Sequence, residues 1–154
     1  MKNFLRIFAI IVLFSLLFLV RAFATELFYD PLIVYFQNDY LYEPIPNIDS
    51  WELIISMLCR YFINSVISLG IIYLVFKKKN YVKFSTFFLM AAFIFMILIF
   101  GFLLRNQFES GYLFPFYIRR FIIHPIFLFL LLPAFYVQKK QKKKKKYKKK
   151  TKAL

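Results

Sequence analysis

Acidic residues, cysteine, histidine and glycine are all scarce in this sequence. Its 154 residues include 7 Asp and Glu against 22 Lys and Arg, with one cysteine, one histidine and three glycines. A single cysteine, Cys59, excludes an internal disulfide and a cysteine-based metal cluster. A lone histidine, His124, cannot build a histidine metal site, and no glycine-rich phosphate loop, HExxH helix or nucleophile elbow occurs. No cofactor or metal is therefore expected.

Long apolar runs, by contrast, dominate the chain. Four blocks cover residues 4–20, 53–76, 84–104 and 121–137, and a helix needs about 17 to 25 apolar residues to cross a bilayer. Lipid offers the backbone no hydrogen-bonding partners, so runs of this length form helices despite their many β-branched and aromatic residues. The sequence predicts an all-α polytopic integral membrane protein, with four transmembrane helices in residues 1–138 and a Lys-rich, disordered cytoplasmic tail in residues 139–154.

Positive charge is concentrated in alternate connections between these blocks. Lysine and arginine precede the first block, fill residues 77–83 between the second and third, and recur as eleven lysines from Lys139 to Lys152. The positive-inside rule then predicts a protein of the bacterial inner membrane with both termini in the cytoplasm. The opposite side carries the acids, which are Glu26, Asp30, Asp39, Glu43, Asp49, Glu52 and Glu109.

The tail is expected to bind membrane lipids. Each lysine close to anionic headgroups contributes about 1 kcal/mol to surface attraction. Nucleic acid is not an expected partner, because Tyr147 alone could supply a stacking platform among these charges.

Two interpretations of the first block stay open. A leading Lys2, an apolar run and the tripeptide from Ala22 to Ala24 resemble a signal peptide with a small-residue cleavage site. Against cleavage, the run exceeds the usual signal core of about 7 to 15 residues, and Arg21 stands where cleavage sites are normally uncharged. The sequence favours an uncleaved anchor.

Polar residues inside the second block form a stripe. Ser56, Arg60, Asn64 and Ser68 recur every four residues and therefore share one helix face, which should contact protein. A charge like that of Arg60 costs about 2.5 to 3.5 kcal/mol near a helix centre, so a partner is expected. The options are an acidic loop residue folded inward, a helix carbonyl, a lipid phosphate or another protein. Alternatively, the side chain extends outward to Glu52 or to headgroups.

A second concentration of polar residues precedes the fourth block. Arg119, Arg120 and His124 come just before Pro125 and either anchor a helix to phosphates or, with Arg60, form an outward-facing basic site for a carboxylate or phosphate group. The segment around Asp30 is a candidate cap for that site. The aromatic stretch that it begins, from Phe28 to Tyr42, is expected to lie flat in the outer interface.

Several short motifs, taken in order, carry a resemblance over residues 1–138. They are Phe28-Tyr29-Asp30-Pro31-Leu32, Arg60-Tyr61 with Asn64 and Ser68, Phe116-Tyr117-Ile118-Arg119-Arg120-Phe121 with His124-Pro125, and Leu131-Leu132-Pro133-Ala134-Phe135-Tyr136. In this order the chain resembles the small integral membrane protein associated with exosortase F systems in Bacteroidetes. The resemblance implies a companion of an exosortase, a membrane transpeptidase-like enzyme that processes C-terminal sorting signals on exported proteins. It assigns no catalytic residue.

The expected function is that of a non-enzymatic accessory membrane protein, a partner or stabiliser of such a protein-sorting transpeptidase. The alternative is an exosortase-like membrane cysteine transpeptidase at the outer face, with Cys59, Arg120 and His124 as its catalytic residues. In exosortases, however, the cysteine precedes a small residue and a glycine before the arginine, whereas Cys59 directly adjoins Arg60. Four spans are also fewer than such an enzyme usually has.

Overall fold

The computed structural model describes residues 2–36, 48–106, 108, 111 and 113–151. Regular structure in these residues is entirely helical, which confirms the predicted all-α fold class. The helices are α1 (Lys2–Ala22), α2 (Ala24–Leu27), α3 (Leu32–Tyr35), α4 (Ser50–Phe76), α5 (Lys79–Arg105), α6 (Leu113–Ile123) and α7 (Ile126–Thr151).

Three helices, α1, α4 and α5, are each long and apolar enough to cross a membrane. A fourth crossing is provided if α6 and the apolar part of α7, which meet at a 64° bend, count as one span. The first three predicted blocks correspond to these helices, which extend beyond the apolar runs by one to five residues at several ends. Polar residues flanking an apolar run can continue the helix because its backbone hydrogen bonds are made within the segment.

The fourth predicted span, residues 121–137, contains a break. Its polypeptide belongs to two helices, and the break falls at His124 and Pro125. Proline lacks an amide N–H and disfavours helical geometry in the preceding residue, which explains the position of the break. The side-chain amide of Asn64 donates a hydrogen bond to the Ile123 carbonyl at 3.0 Å, so the end of α6 is tied to α4.

Lysine-rich segments meet at one end of the bundle. Arg6 donates hydrogen bonds to the carbonyls of Leu74 and Val75, at 2.6 and 2.7 Å, where α4 ends. Lys139 lies 5.7 Å from the ring centroid of Phe76, at the same helix end. The start of α1, the turn after α4 and the start of the tail therefore share one end, as the predicted four-crossing topology requires.

Helix α7 continues into the lysine-rich tail as far as Thr151. Lysine has a high helix propensity, and a preformed helix offers an end from which each further residue adds a hydrogen bond without a new nucleus.

The N-terminal helix α1 packs along α4 as part of the bundle. Leu17 is 6% exposed and belongs to a core cluster with Ile71 and Ile72. At Gly70 the two helices approach so closely that an added Cβ would lie 3.3 Å from Leu13 Cδ1. This packing favours the anchor interpretation of the first block.

Residues 28–36 fold into the bundle instead of lying flat at its surface. Leu32, Tyr35 and Phe36 on and after α3 are buried in the same core cluster as Phe100 and Ile122. The expectation of an interfacial position is therefore wrong for this part of the aromatic stretch. Apolar burial against α5 and α6 removes more surface from water than an interfacial position would. The remainder of the predicted stretch, residues 37–42, lies outside the described residues.

Candidate functional site

The polar stripe of α4 faces the interior of the bundle. Arg60, Asn64 and Ser68 are all buried, at 3%, 5% and 3% exposure, and Ser56 is half-buried near the start of the stripe. Ser68 donates a hydrogen bond to the Asn64 carbonyl at 2.6 Å. The predicted common face is thus confirmed. The last two polar side chains of the stripe, Asn64 and Ser68, are buried inside the chain and offer no surface to a partner.

The partner of Arg60 is Asp30. Arg119 on α6 donates a hydrogen bond to Asp30 Oδ2, and Arg60 Nη1 lies 3.8 Å from the same oxygen. All three side chains are at most 6% exposed. Of the possibilities that the sequence left open, the structure therefore selects an acidic loop residue folded inward. Outward extension toward Glu52 does not occur, since the Arg60 side chain is 4% exposed.

Local sequence explains how Asp30 reaches this position. Pro31 follows directly and starts α3, whose Leu32 is fully buried. Because proline restricts the preceding residue to extended geometry, the chain turns at Asp30 between α2 and α3. Burial of α3 in the core then holds the carboxylate against the two arginines.

Aromatic rings fix the arginine side chains further. The guanidinium carbons of Arg60 and Arg119 lie 5.9 Å from the ring centroids of Phe28 and Phe36, respectively. Arg120 makes the corresponding contact with Phe116 at 6.0 Å. Such cation–π contacts are worth about 0.5 to 2 kcal/mol, more when water is excluded. They position guanidinium groups that the ion pairs alone would leave free to rotate.

A cavity of about 380 Å³ lies beside this cluster. We call it the arginine cavity. Its polar lining comes from Arg21, Arg60, Arg119, Arg120 and His124, and its apolar lining from Ala22, Ala24, Ile33, Phe36, Phe116 and Ile123. The four residues predicted to form one basic site, Arg60, Arg119, Arg120 and His124, are thus brought together. No acid is among the described residues that line the cavity.

Several hydrogen-bonding atoms beside the arginine cavity have no partner among the described residues. They include Arg60 Nε, Arg60 Nη1 and Arg119 Nε, all of them donors and all buried. Asp30 Oδ1 is likewise a buried acceptor without a partner. Buried polar groups in proteins are nearly always satisfied, and a guanidinium group offers five donors in a fixed planar fork. The site thus has donor capacity that Asp30 does not use.

The arginine cavity lies well away from the lysine-rich end of the bundle. Arg60 is about 24 Å along α4 from Phe76, at roughly 1.5 Å per residue. Asn64 follows Arg60 on the stripe and does not line the cavity. Its side chain donates a hydrogen bond to the carbonyl of Ile123, which does line the cavity. The basic end and the basic cavity are therefore two distinct sites in the molecule.

The candidate nucleophile Cys59 is not part of this site. Its side chain is exposed on α4, and it is not among the described residues that line the arginine cavity. Adjacent helix positions are separated by about 100° around the axis, so Arg60 and Cys59 cannot both face the cavity. The structure brings Arg120 and His124 together, but it does not bring Cys59 to them.

Among the described residues, no group of three or more His, Cys, Asp or Glu residues could hold a metal ion. The predicted acids Asp39, Glu43 and Glu109 lie outside the described residues. Arginine is a poor metal ligand because it carries no lone pair at physiological pH. The chemistry of the arginine cavity is accordingly that of recognising negative charge.

Sequence reasoning missed Arg21 as a member of the site. It entered only as an argument against signal cleavage, although the structure places it in the wall of the arginine cavity. One signal could have found it: Arg21 stands at the end of a span whose flanking charge should be on the opposite side. An arginine that violates the positive-inside pattern needs a local reason, and binding of an anion is one.

Fold and site together define a class, that of helical proteins whose helices are long and apolar enough to span a membrane and which carry a cavity lined by four arginines. A scan of known protein-family models finds no match to the chain, and searches of curated proteins and of solved structures find none either. The function must therefore be inferred from the arginine cavity and from the short sequence motifs described above.

Proposed function

We propose that this protein is a non-enzymatic membrane protein that binds an anionic group in the arginine cavity. One observation carries this proposal: four arginines line the cavity, while the buried Asp30 beside them is a single carboxylate. Clustered positive charge that includes the buried Arg60 and Arg119 is costly unless an anion compensates it. A carboxylate or a phosphate group supplies that compensation.

Its cellular role, in this proposal, is that of an accessory partner of a membrane enzyme. The resemblance of the motifs around Asp30, Arg60 and Arg119 to the exosortase F-associated protein supports an exosortase-type sorting transpeptidase as that enzyme. Either an anionic group of the partner or one of its sorting substrate would then occupy the cavity. The exposed position of Cys59, away from Arg120 and His124, supports an accessory role over a catalytic one.

We place the protein in the bacterial inner membrane with both termini in the cytoplasm. The lysine-rich end would then face anionic cytoplasmic headgroups, and the arginine cavity would lie in the outer half of the bilayer. Sorting enzymes act on exported proteins, so a cavity on that side is suitably placed to assist one.

The proposal is tested by purifying the tagged protein from its native membrane in mild detergent and identifying bound proteins by mass spectrometry. Recovery of a membrane transpeptidase is the expected result, reduced in Arg60→Gln and unchanged in Arg105→Gln, whose exposed arginine does not line the cavity. Recovery of lipid alone would contradict the accessory role.

Catalysis is tested separately. Cys59→Ala should leave partner recovery and sorting in cells unchanged, because the thiol does not reach the cavity. Loss of sorting in Cys59→Ala with normal protein abundance would instead favour the cysteine transpeptidase alternative.

A further inference from the structure

We infer that the group bound in the arginine cavity is a phosphate ester. This inference deepens the proposed function and depends on its anion-binding role, but it does not depend on the identity of any protein partner. Charge, donor geometry, cavity size and preorganisation each distinguish phosphate from carboxylate.

Charge balance is the first argument. Arg21, Arg60, Arg119 and Arg120 line the cavity, and one buried carboxylate, that of Asp30, contacts them. Glu26, a nearby described acid, is exposed and does not line the cavity. One carboxylate against four guanidinium groups leaves three positive charges. A second carboxylate would remove one of these, whereas a phosphate monoester carries a charge of about −1.5 to −2 at neutral pH.

The spatial distribution of donors is the second argument. Four side chains, those of Arg21, Arg60, Arg119 and Arg120, line the cavity from three helices or their ends and offer guanidinium donors from different parts of the wall. A carboxylate has two oxygens in one plane, so it meets donors from fewer directions than a tetrahedral group does. Phosphate presents three or four oxygens in a tetrahedron and can be bound from several directions at once.

Size and rigidity give the third argument. A volume of about 380 Å³ holds a phosphate group together with part of the alcohol to which it is esterified. Three of the guanidinium groups are held against aromatic rings at 5.9 to 6.0 Å. Since these side chains are already ordered, binding costs little additional side-chain entropy. Asp30 contributes by positioning Arg60 and Arg119, since it does not itself line the cavity.

The phosphate ester could belong to a lipid headgroup or to a soluble molecule, and the experiment separates these sources. The full-length protein is purified in a neutral detergent, and binding of inorganic phosphate and of glycerol 3-phosphate is measured by titration calorimetry, with acetate as the carboxylate control. In parallel, the protein is reconstituted in phosphatidylcholine nanodiscs containing phosphatidic acid, whose headgroup is a phosphate monoester, and retained phosphatidic acid is measured by native mass spectrometry.

Matched variants connect binding to the cavity. Arg120→Gln and Arg21→Gln remove lining arginines that are exposed enough to change without disturbing the core, and Arg105→Gln removes an exposed arginine elsewhere. We expect each lining variant to weaken binding about tenfold, since a hydrogen bond to a charged group contributes about one such factor. The Arg105→Gln variant should bind as the unmodified protein does.

Each outcome either supports or overturns the assignment of a phosphate ester to the cavity. Binding of the soluble phosphates supports the inference with a soluble source, and retention of phosphatidic acid without soluble binding supports it with a lipid source. Acetate binding equal to phosphate binding overturns the phosphate assignment but leaves the proposed anion-binding function standing. Absence of all binding, or equal loss in Arg105→Gln and Arg120→Gln, overturns both.

Discussion

Asp30 and Arg119, which are 89 positions apart in the sequence, form a buried ion pair that joins the first loop to α6. Arg60 on α4 approaches the same carboxylate oxygen to 3.8 Å, so one acid connects three parts of the chain. The pair thus has a structural role as well as a place beside the arginine cavity. Removing the carboxylate would leave two guanidinium groups buried without a counter-charge.

We expect Asp30→Asn to destabilise the protein strongly. Breaking a buried ion pair from one side costs about 3 to 5 kcal/mol, because the remaining charge stays buried without compensation. Thermal unfolding in detergent, followed by circular dichroism, should show a clear fall in Tm. Glu26→Gln is the matched control, since Glu26 is exposed on the same loop. Equal Tm values for the two variants would contradict the structural role of Asp30.

A double-mutant cycle separates the pair from its surroundings. If Asp30 and Arg119 stabilise the fold through each other, Asp30→Asn with Arg119→Gln should be less destabilising than the sum of the single changes. Coupling between contacting residues is typically about 0.5 to 3 kcal/mol. Strict additivity of the free energies of unfolding would mean that the two residues act independently.

Asn64 gives the second prediction, at the break between α6 and α7. Its side-chain amide satisfies the Ile123 carbonyl, which stands at the helix end created by Pro125. Asn64→Leu should destabilise the protein by about 0.6 kcal/mol, the average for polar contacts between membrane helices, and by no more than the maximum of about 1.7 kcal/mol. Hydrogen–deuterium exchange should accelerate selectively around residues 123–128. Val66→Leu, at an exposed position of α4, should change neither quantity.

A third prediction concerns the close approach of α1 and α4. Because a Cβ at Gly70 would already lie 3.3 Å from Leu13 Cδ1, Gly70→Leu should force the helices apart. Overpacking of this kind costs about 1 to 3 kcal/mol, which should appear as a lower Tm. Gly101→Leu is the control, because no atom lies within 4 Å of a Cβ built there. A similar loss in both variants would indicate a general effect of replacing glycine.

Sequence periodicity and bilayer dimensions were sufficient to predict much of this fold. The apolar runs located α1, α4 and α5, and the four-residue spacing of Arg60, Asn64 and Ser68 identified the inward face of α4. Both depend on local rules that act within one helix. The grouping of Arg60 with Arg119, Arg120 and His124 followed from a further constraint, the cost of charge in lipid.

What the sequence could not supply depends on contacts between distant segments. Asp30 was one of seven acids that could compensate Arg60, and only the burial of α3 selects it. The break at Pro125 could not be predicted without the contact of Asn64 with the Ile123 carbonyl, since a membrane helix can also continue through a proline. Pro133 illustrates that second case, because α7 continues through it. Arg21 joined the site for a similar reason, through the packing of α1 on α4.

The final prediction tests the number of crossings. Contacts of Arg6 with Leu74 and of Lys139 with Phe76 bring the start of α1 and the start of the tail to one end of the bundle. If α6 and α7 together cross the membrane, cysteines placed at Lys78 and Lys142 must be on the same side, opposite Trp51. In a Cys59→Ala background, an impermeant maleimide applied to spheroplasts should label Trp51→Cys directly. It should label Lys78→Cys and Lys142→Cys only after permeabilisation. Direct labelling of Lys142→Cys together with Trp51→Cys would show that the bent pair turns back without crossing and would reduce the spans to three.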